Sequence, residues 1–184
     1  MGSNGLTPRR HHDSALTFEE LYNKNFAGVN RYLRYRLANA WDADDLTALV
    51  FTKALEKFHT WRGRCSFSTW LFRIAHNAYL DYTRGNRQTT ASGASLLHRA
   101  TPGGNPEEQV LLDEEMRELH ARLNKLPPVY RDVLTLRYAG ELRFSQIAGV
   151  LGKTETAVRM IHYRALKMLR RHYETGPGKK QNEK

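Results

Sequence analysis

Cysteine is nearly missing from this 184-residue chain, with Cys65 standing alone. One thiol excludes an intramolecular disulfide framework and an all-thiolate zinc site, and it fits a reducing compartment. Long apolar runs are missing too: no uncharged stretch approaches the roughly 20 residues of a membrane-spanning helix. The N-terminal MGSNGLTPRRHHDS carries basic residues with no apolar stretch behind them, so no secretory signal is expected. Acidic residues are scarce against basic ones, 19 to 29, which leaves a net charge of +10. That excess disfavours a cationic substrate and favours a polyanionic partner, either nucleic acid or an acidic membrane surface. No strand-like alternation or internal repeat is present, and no two of the histidines form an H-x-x-x-H pair. No metal site, no cofactor and no membrane insertion are expected. The sequence therefore reads as a basic cytosolic protein of the all-α class.

What is present divides into two amphipathic blocks. Residues 1–16 are polar and are expected to form a disordered arm, in which the adjacent His11 and His12 are solvated. Thr17 and Glu20 have capping-box spacing, and Phe18, Leu21, Tyr22, Phe26, Val29, Leu33 and Leu37 then mark one helix face. Asp42 is expected to open a second helix, with Asp44 and Asp45 in the first turn and an inward stripe of Leu46, Leu49, Val50, Ala54 and Phe58. Ser66 can cap a third helix, buried through Phe67, Trp70, Leu71, Ile74, Ala78 and Tyr82. The first block spans 17–84. Residues 85–107, rich in Gly, Ser, Thr, Asn and Pro, read as a flexible linker too long for a loop within a bundle. A second helical block spans 108–173, where Pro127–Pro128 ends one helix and starts another and Gly140 is expected to end the latter. Residues 174–184 read as a disordered basic tail. The expected architecture is two small helical domains joined by a linker.

The sharpest motif is FSQIAGVLGKTETAVRMIHYRALKMLRR. Ser145 can cap a short helix carrying Ile147, Ala148 and Leu151, and Gly152 falls where the chain must turn in the left-handed region. Thr154 can cap the next helix, with Val158, Ile161, Ala165 and Leu169 inward. This is helix-turn-helix spacing. Thr156, Arg159, Met160, Tyr163, Lys167 and Arg170 share the outward face, and Arg159 and Arg164 can donate to guanine edges or to phosphate.

A second basic and aromatic segment precedes the linker. Trp61, Arg62, Gly63, Arg64 and Ser66 lie on a loop entering a helix, whose face opposite the apolar stripe carries Thr69, Arg73, His76, Asn77, Leu80 and Arg84. Basic groups, an amide and aromatics in this pattern suit a single strand with its bases unstacked. The loop also offers helix N-terminal donors to a phosphate or an extruded base.

Together, DADDLTALVFTKALEKF, SFSTWLFRIAHNAYLDYTR and LNKLPPVYRDVLTLRYAGELRFSQIAGVLGKTETAVRMIHYRALKMLRR resemble the extracytoplasmic-function sigma factors of bacterial RNA polymerase. The likeness covers Phe18–Arg84 and Leu123–Arg171. It implies that the helix at Asp45, Leu46 and Phe51 docks on the clamp helices of the polymerase largest subunit. It implies that Trp61, Arg62, Arg64, Ser66, Arg73, Asn77 and Arg84 bind the melted non-template strand of the −10 element, one base flipped into the loop. Thr154, Thr156, Arg159, Met160, Tyr163 and Arg164 would face the −35 element as duplex. The implied partners are core polymerase, including its flap, promoter DNA and an anti-sigma factor; the chain would not be an enzyme. The sequence departs from the family pattern at Ala48, where glutamine is common, and at Gln146, Thr156, Ala157, Met160 and Ile161 around the −35 reader.

Two other classes are weaker. A stand-alone helix-turn-helix regulator would bind palindromic DNA as a dimer, and the N-terminal block and linker argue against it. A helical nuclease would need clustered metal ligands, whereas Asp42, Asp44 and Asp45 are explained by helix-start electrostatics.

Overall fold

The structure, a computed structural model, describes residues 16–37, 39–91 and 117–174. Residues 1–15 of the expected arm, 92–107 of the linker, 108–116 of the second block and 175–184 of the tail lie outside the described residues. Helices α1 (Phe18–Arg34), α2 (Ala40–Lys57) and α3 (Phe67–Ala91) form the first block. Residues 117–124 (α4), α5 (Pro128–Tyr138), α6 (Phe144–Leu151) and α7 (Glu155–Glu174) form the second. Among the described residues there is no strand, as the all-α reading requires.

Local chemistry sets the helix ends. The capping box forms as read: Glu20 N–H donates to Thr17 Oγ1 at 3.3 Å, and Thr17 N–H to Glu20 Oε2 at 2.7 Å. Helix α2 starts two residues before Asp42, because Asn39 Oδ1 accepts from Trp41 N–H at 3.0 Å and acts as the cap. The acids at its start have structural partners instead. Asp42 accepts from Tyr82 Oη–H at 2.8 Å, and Asp44 accepts from Arg34 Nη2 at 2.9 Å and Asn30 Nδ2 at 2.7 Å. Helix α3 continues to Ala91, past Arg84 where the sequence reading ends it. Helix α6 begins at Phe144, because Gln146 Oε1 takes the free Arg143 N–H at 2.9 Å and no cap by Ser145 is needed. Helix α5 ends at Tyr138 with Ala139 as its cap, just before Gly140 as read, and the left-handed residue that follows is Glu141, with φ 55°.

The two blocks share one core. Leu21, Val29, Tyr32, Leu71 and Phe72 from the first pack in a continuous cluster with Val133, Leu136, Ala139, Ile147 and Val158 from the second. Helix α6 lies along α3. Glycine permits the approach: a Cβ on Gly140 would sit 2.8 Å from the Phe72 ring, and one on Gly149 would sit 2.9 Å from Thr69 Cγ2. Polar bonds follow the same seam. Arg31 Nε donates to Ala139 O at 2.7 Å, His120 Nε2 to Arg34 O at 2.8 Å, and Arg36 pairs with Asp132 at 2.6 Å. A smaller cluster of Leu123, Leu126, Leu134 and Ala165 holds the second block internally.

Because Phe72 sits on the seam and is almost fully buried, Phe72→Ala should destabilise the chain by about 3–5 kcal/mol. Denaturant unfolding followed by circular dichroism measures this, and a loss below about 1 kcal/mol would show that the two blocks do not share a core.

Candidate nucleic-acid interfaces

The loop before α3 is built on stacked rings. Trp61 lies over Phe58 at 6.0 Å and 26°, meets Phe67 edge-on at 5.4 Å, and donates Nε1–H to Cys65 O at 3.1 Å. Gly63 turns the loop at φ 68°. Ser66 caps α3 by accepting Thr69 N–H at 3.2 Å. A cavity of about 280 Å³ opens here, lined by Thr60, Trp61, Arg62, Arg64, Cys65, Trp70 and Arg73. It has three guanidinium groups, two indoles and no carboxylate in its walls. The first turn of α3 carries no acid either, so the partial positive charge at its N-terminus is not neutralised locally.

Of the residues expected to hold a strand, Trp61, Arg62, Arg64 and Arg73 are brought together in this cavity. Ser66 sits at the helix start beside it, while Asn77 and Arg84 are exposed further along α3, with Arg84 3.7 Å from Asp81. Arg73 Nη2 donates to Gly149 O of α6 at 2.6 Å, and Ser66 Oγ accepts from Gln146 Nε2 at 3.1 Å.

The second surface is on α7. Gly152 turns the chain at φ 63°, Thr154 Oγ1 accepts Ala157 N–H at 3.2 Å, and Val158 and Ala165 are fully buried. Thr156, Arg159, Met160, Tyr163 and Arg164 all face out, Met160 with 47% and Tyr163 with 63% of their surface exposed. Arg159 is held by Glu155 and stacks over Phe144 at 4.6 Å; Arg164 and Lys167 are exposed.

The third surface is on α2. Leu46 and Phe51 are buried, Phe51 against Tyr22 at 4.5 Å, so neither presents itself to a partner; Asp45 does. Leu49 and Leu55, 44% and 59% exposed, share that outward side with Asp45, and Leu49 is not the core residue its stripe suggests.

Family profiles described as Sigma-70 region 2 and Sigma-70, region 4 match residues 21–89 and 116–169. The RNA polymerase sigma factor YlaC of Bacillus subtilis is 30% identical over 85% of this chain and 90% of its own length. This chain belongs to the sigma-70 family, as a sigma factor of the extracytoplasmic-function type. The ECF RNA polymerase sigma factor BldN of Streptomyces coelicolor is 31% identical over 90% of this chain, which spans 64% of BldN. The fold matches that of the Bartonella quintana sigma factor RpoE, solved in complex with the anti-sigma factor NepR, with a TM-score of 0.64 and 18% identity over 86% of this chain and 98% of that one. The cavity and the α7 face of this sigma factor therefore lie within the residues matched as regions 2 and 4 respectively.

Two placements on α3 differ from the sequence reading. Thr69 and His76, expected on the open face of α3, are buried, Thr69 under α6 and His76 in a hydrogen bond with Tyr32 at 3.1 Å. Trp70 packs against the core as expected, 5.4 Å from the Phe67 ring, and also forms part of the cavity wall. The exposure of Leu49 and Leu55 has a signal in the sequence. Leu46, Leu49, Val50, Phe51, Ala54 and Leu55 cover more of the helix circumference than a single buried face can use.

Burial sets the titration of the groups in and around this site. It pushes the Cys65 thiol up, against the attraction of Arg73, which disfavours the thiolate. It pushes Tyr82 up to about 12, with Asp42 adding to the rise. His76, His120 and His162 are all held below their ordinary 6.5, in each case by burial first; at His76 Arg36 adds to this and Asp132 opposes it. A histidine with a lowered native pKa binds fewer protons folded than unfolded, so the stability it contributes is present above about pH 6.5 and is lost as pH falls toward the native pKa. The melting temperature should therefore drop between about pH 6.5 and pH 5, and less steeply in His76→Gln. An equal slope in that variant would remove His76 from the cause.

Proposed function

We propose that this sigma factor directs core RNA polymerase to promoters by reading two parts of one site in two physical states. The observation that carries the reading is the cavity at the start of α3, with indoles to stack on and guanidinium groups to hold a backbone. A base taken from the duplex loses a few kcal/mol of stacking, on the order of what one base recovers on aromatic side chains, about 1–3 kcal/mol. The melted −10 strand is therefore captured only where its bases fit. Trp61 and Trp70 offer faces to an extruded base, Arg62, Arg64 and Arg73 hold the phosphates, and Asn77 lies one turn on.

Helix α7 reads the −35 element as duplex, with Thr156, Met160, Tyr163 and Arg164 toward the major groove and Arg159 pre-oriented by Glu155. Core polymerase docks on the outward side of α2 through Asp45, Leu49 and Leu55. Leu46 and Phe51 act beneath that surface as positioning residues, holding α2 against α1. Among the described residues no helix is long and apolar enough to cross a membrane. The work is done by binding, without covalent chemistry, on polymerase in the bacterial cytosol. An inhibitor of the kind bound to RpoE in the related structure belongs to the same reading.

Run-off transcription with core polymerase on a promoter library tests the proposal. Transcripts should depend on this chain and share two separated motifs; no chain-dependent transcript would refute it. Arg73→Ala with Asn77→Ala should lower initiation at least tenfold, a loss of about 1–3 kcal/mol in strand binding. Arg164→Ala should weaken promoter binding by a similar factor and reduce its salt slope by about one if that side chain meets phosphate.

A further inference from the structure

The outward cations of α7 are not equivalent. Arg164 and Lys167 are exposed and pair with no carboxylate among the described residues. Arg159 gives its Nε hydrogen to Glu155 Oε1 at 3.1 Å and an Nη2 hydrogen to the same oxygen at 2.5 Å. Its guanidinium also lies over the Phe144 ring of α6 at 4.6 Å. That ring is itself held in place. Arg137 lies over it at 5.0 Å, and His162, hydrogen-bonded to Tyr138 at 3.0 Å, meets it edge-on at 5.1 Å. The Arg159 side chain remains 59% exposed, so its pairing with Glu155 contributes little to stability. The consequence of the pairing lies in what Arg159 can offer to DNA.

A guanidinium carries five hydrogens in a rigid fork. Glu155 takes the Nε–Nη2 edge, which leaves both Nη1 hydrogens and one on Nη2 at the terminal edge. That edge matches the O6 and N7 acceptors of guanine in the major groove. The charge changes as well as the geometry. A cation balanced by an adjacent carboxylate attracts phosphate weakly, and the carboxylate itself repels it. Hydrogen bonds to an uncharged base edge keep their direction and lose less. We propose that Glu155 is a specificity-determining residue of the duplex reader and Phe144 a positioning residue: together they convert Arg159 from a phosphate-neutralising cation into the reader of one guanine. This rests on the duplex-reading role proposed for α7. Glu155 is the repulsive element in that reader, because it removes affinity that every sequence would share. Arg164 and Lys167 keep their full charge for the backbone.

Holoenzyme assembled from the full chain and core polymerase tests this on labelled promoter duplexes randomised over the −35 region, with the bound fraction sequenced across a salt series. Arg159→Ala should remove a guanine preference of about tenfold at one −35 position. It should leave the slope of log affinity against log salt unchanged, since the charge removed was already balanced. Glu155→Gln keeps an amide oxygen able to accept from Arg159 and deletes only the negative charge. It should steepen the salt slope by about one and lower the guanine preference about fivefold, through tighter binding of the wrong bases. Phe144→Leu should lower the same preference, and Phe144→Tyr, which restores a ring, should recover it. A salt slope shallower by about one in Arg159→Ala, or no steepening in Glu155→Gln, would overturn the inference. If Glu155→Gln loses helicity by circular dichroism, Arg159→Ala alone decides. A −35 preference that survives Arg159→Ala rejects this inference and keeps the promoter reading; an unaltered holoenzyme with no −35 preference rejects both.

Discussion

Both flanks of α3 are buried. On one side Phe18 meets Phe67 and Asp42 holds Tyr82; on the other Gly149 meets Thr69 and Gly140 meets Phe72. This double packing decides what α3 leaves exposed. It holds the loop of Trp61 at the helix start and leaves a strip through Arg73, Asn77 and Arg84 for polar work. It also brings the helix-turn-helix next to that strip. A helix packed on a single side would present a wider polar face.

The charge of the chain is sorted by the same packing. Cations at the seam are committed to structure: Arg31 to Ala139 O and Glu141, Arg34 to Asp44, Arg36 to Asp132 and to the ring of Tyr79 at 4.2 Å. Cations at the cavity and on α7 stay exposed, where neutralising phosphates releases counterions. The net charge of +10 is therefore not a uniform coat. The buried Arg36–Asp132 pair is poor evidence for stability, since desolvation opposes its Coulomb attraction; its effect is to fix how the blocks register.

Much of this is legible from spacing. The helix stripes, the Thr17–Glu20 box, the Ser66 and Thr154 caps and the turn at Gly152 depend on residues a few positions apart, and local geometry decides them. Where the reading fails, a distant residue has intervened, or a nearer cap has won. Asp42 looks like a helix start, yet Asn39 caps the helix and Tyr82, forty positions away, occupies the carboxylate. Thr69 and His76 look solvated because α6 and Tyr32, which cover and bind them, are far away in sequence. The linker beyond residue 91 and both termini lie outside the described residues.

By itself the sequence determined the helical class, the order of the blocks, the helix-turn-helix and the identity of the basic and aromatic groups, because periodicity, capping and turn chemistry act over one or two turns of chain. The cavity between Trp61, Trp70 and Arg73, the split of α2 into a buried and a presented side, and the seating of α6 on α3 were decided only in the tertiary structure. Each of these is a matter of which surface covers which. That choice depends on complementary shape between segments dozens of residues apart, where a missing side chain at Gly149 counts as much as any residue present.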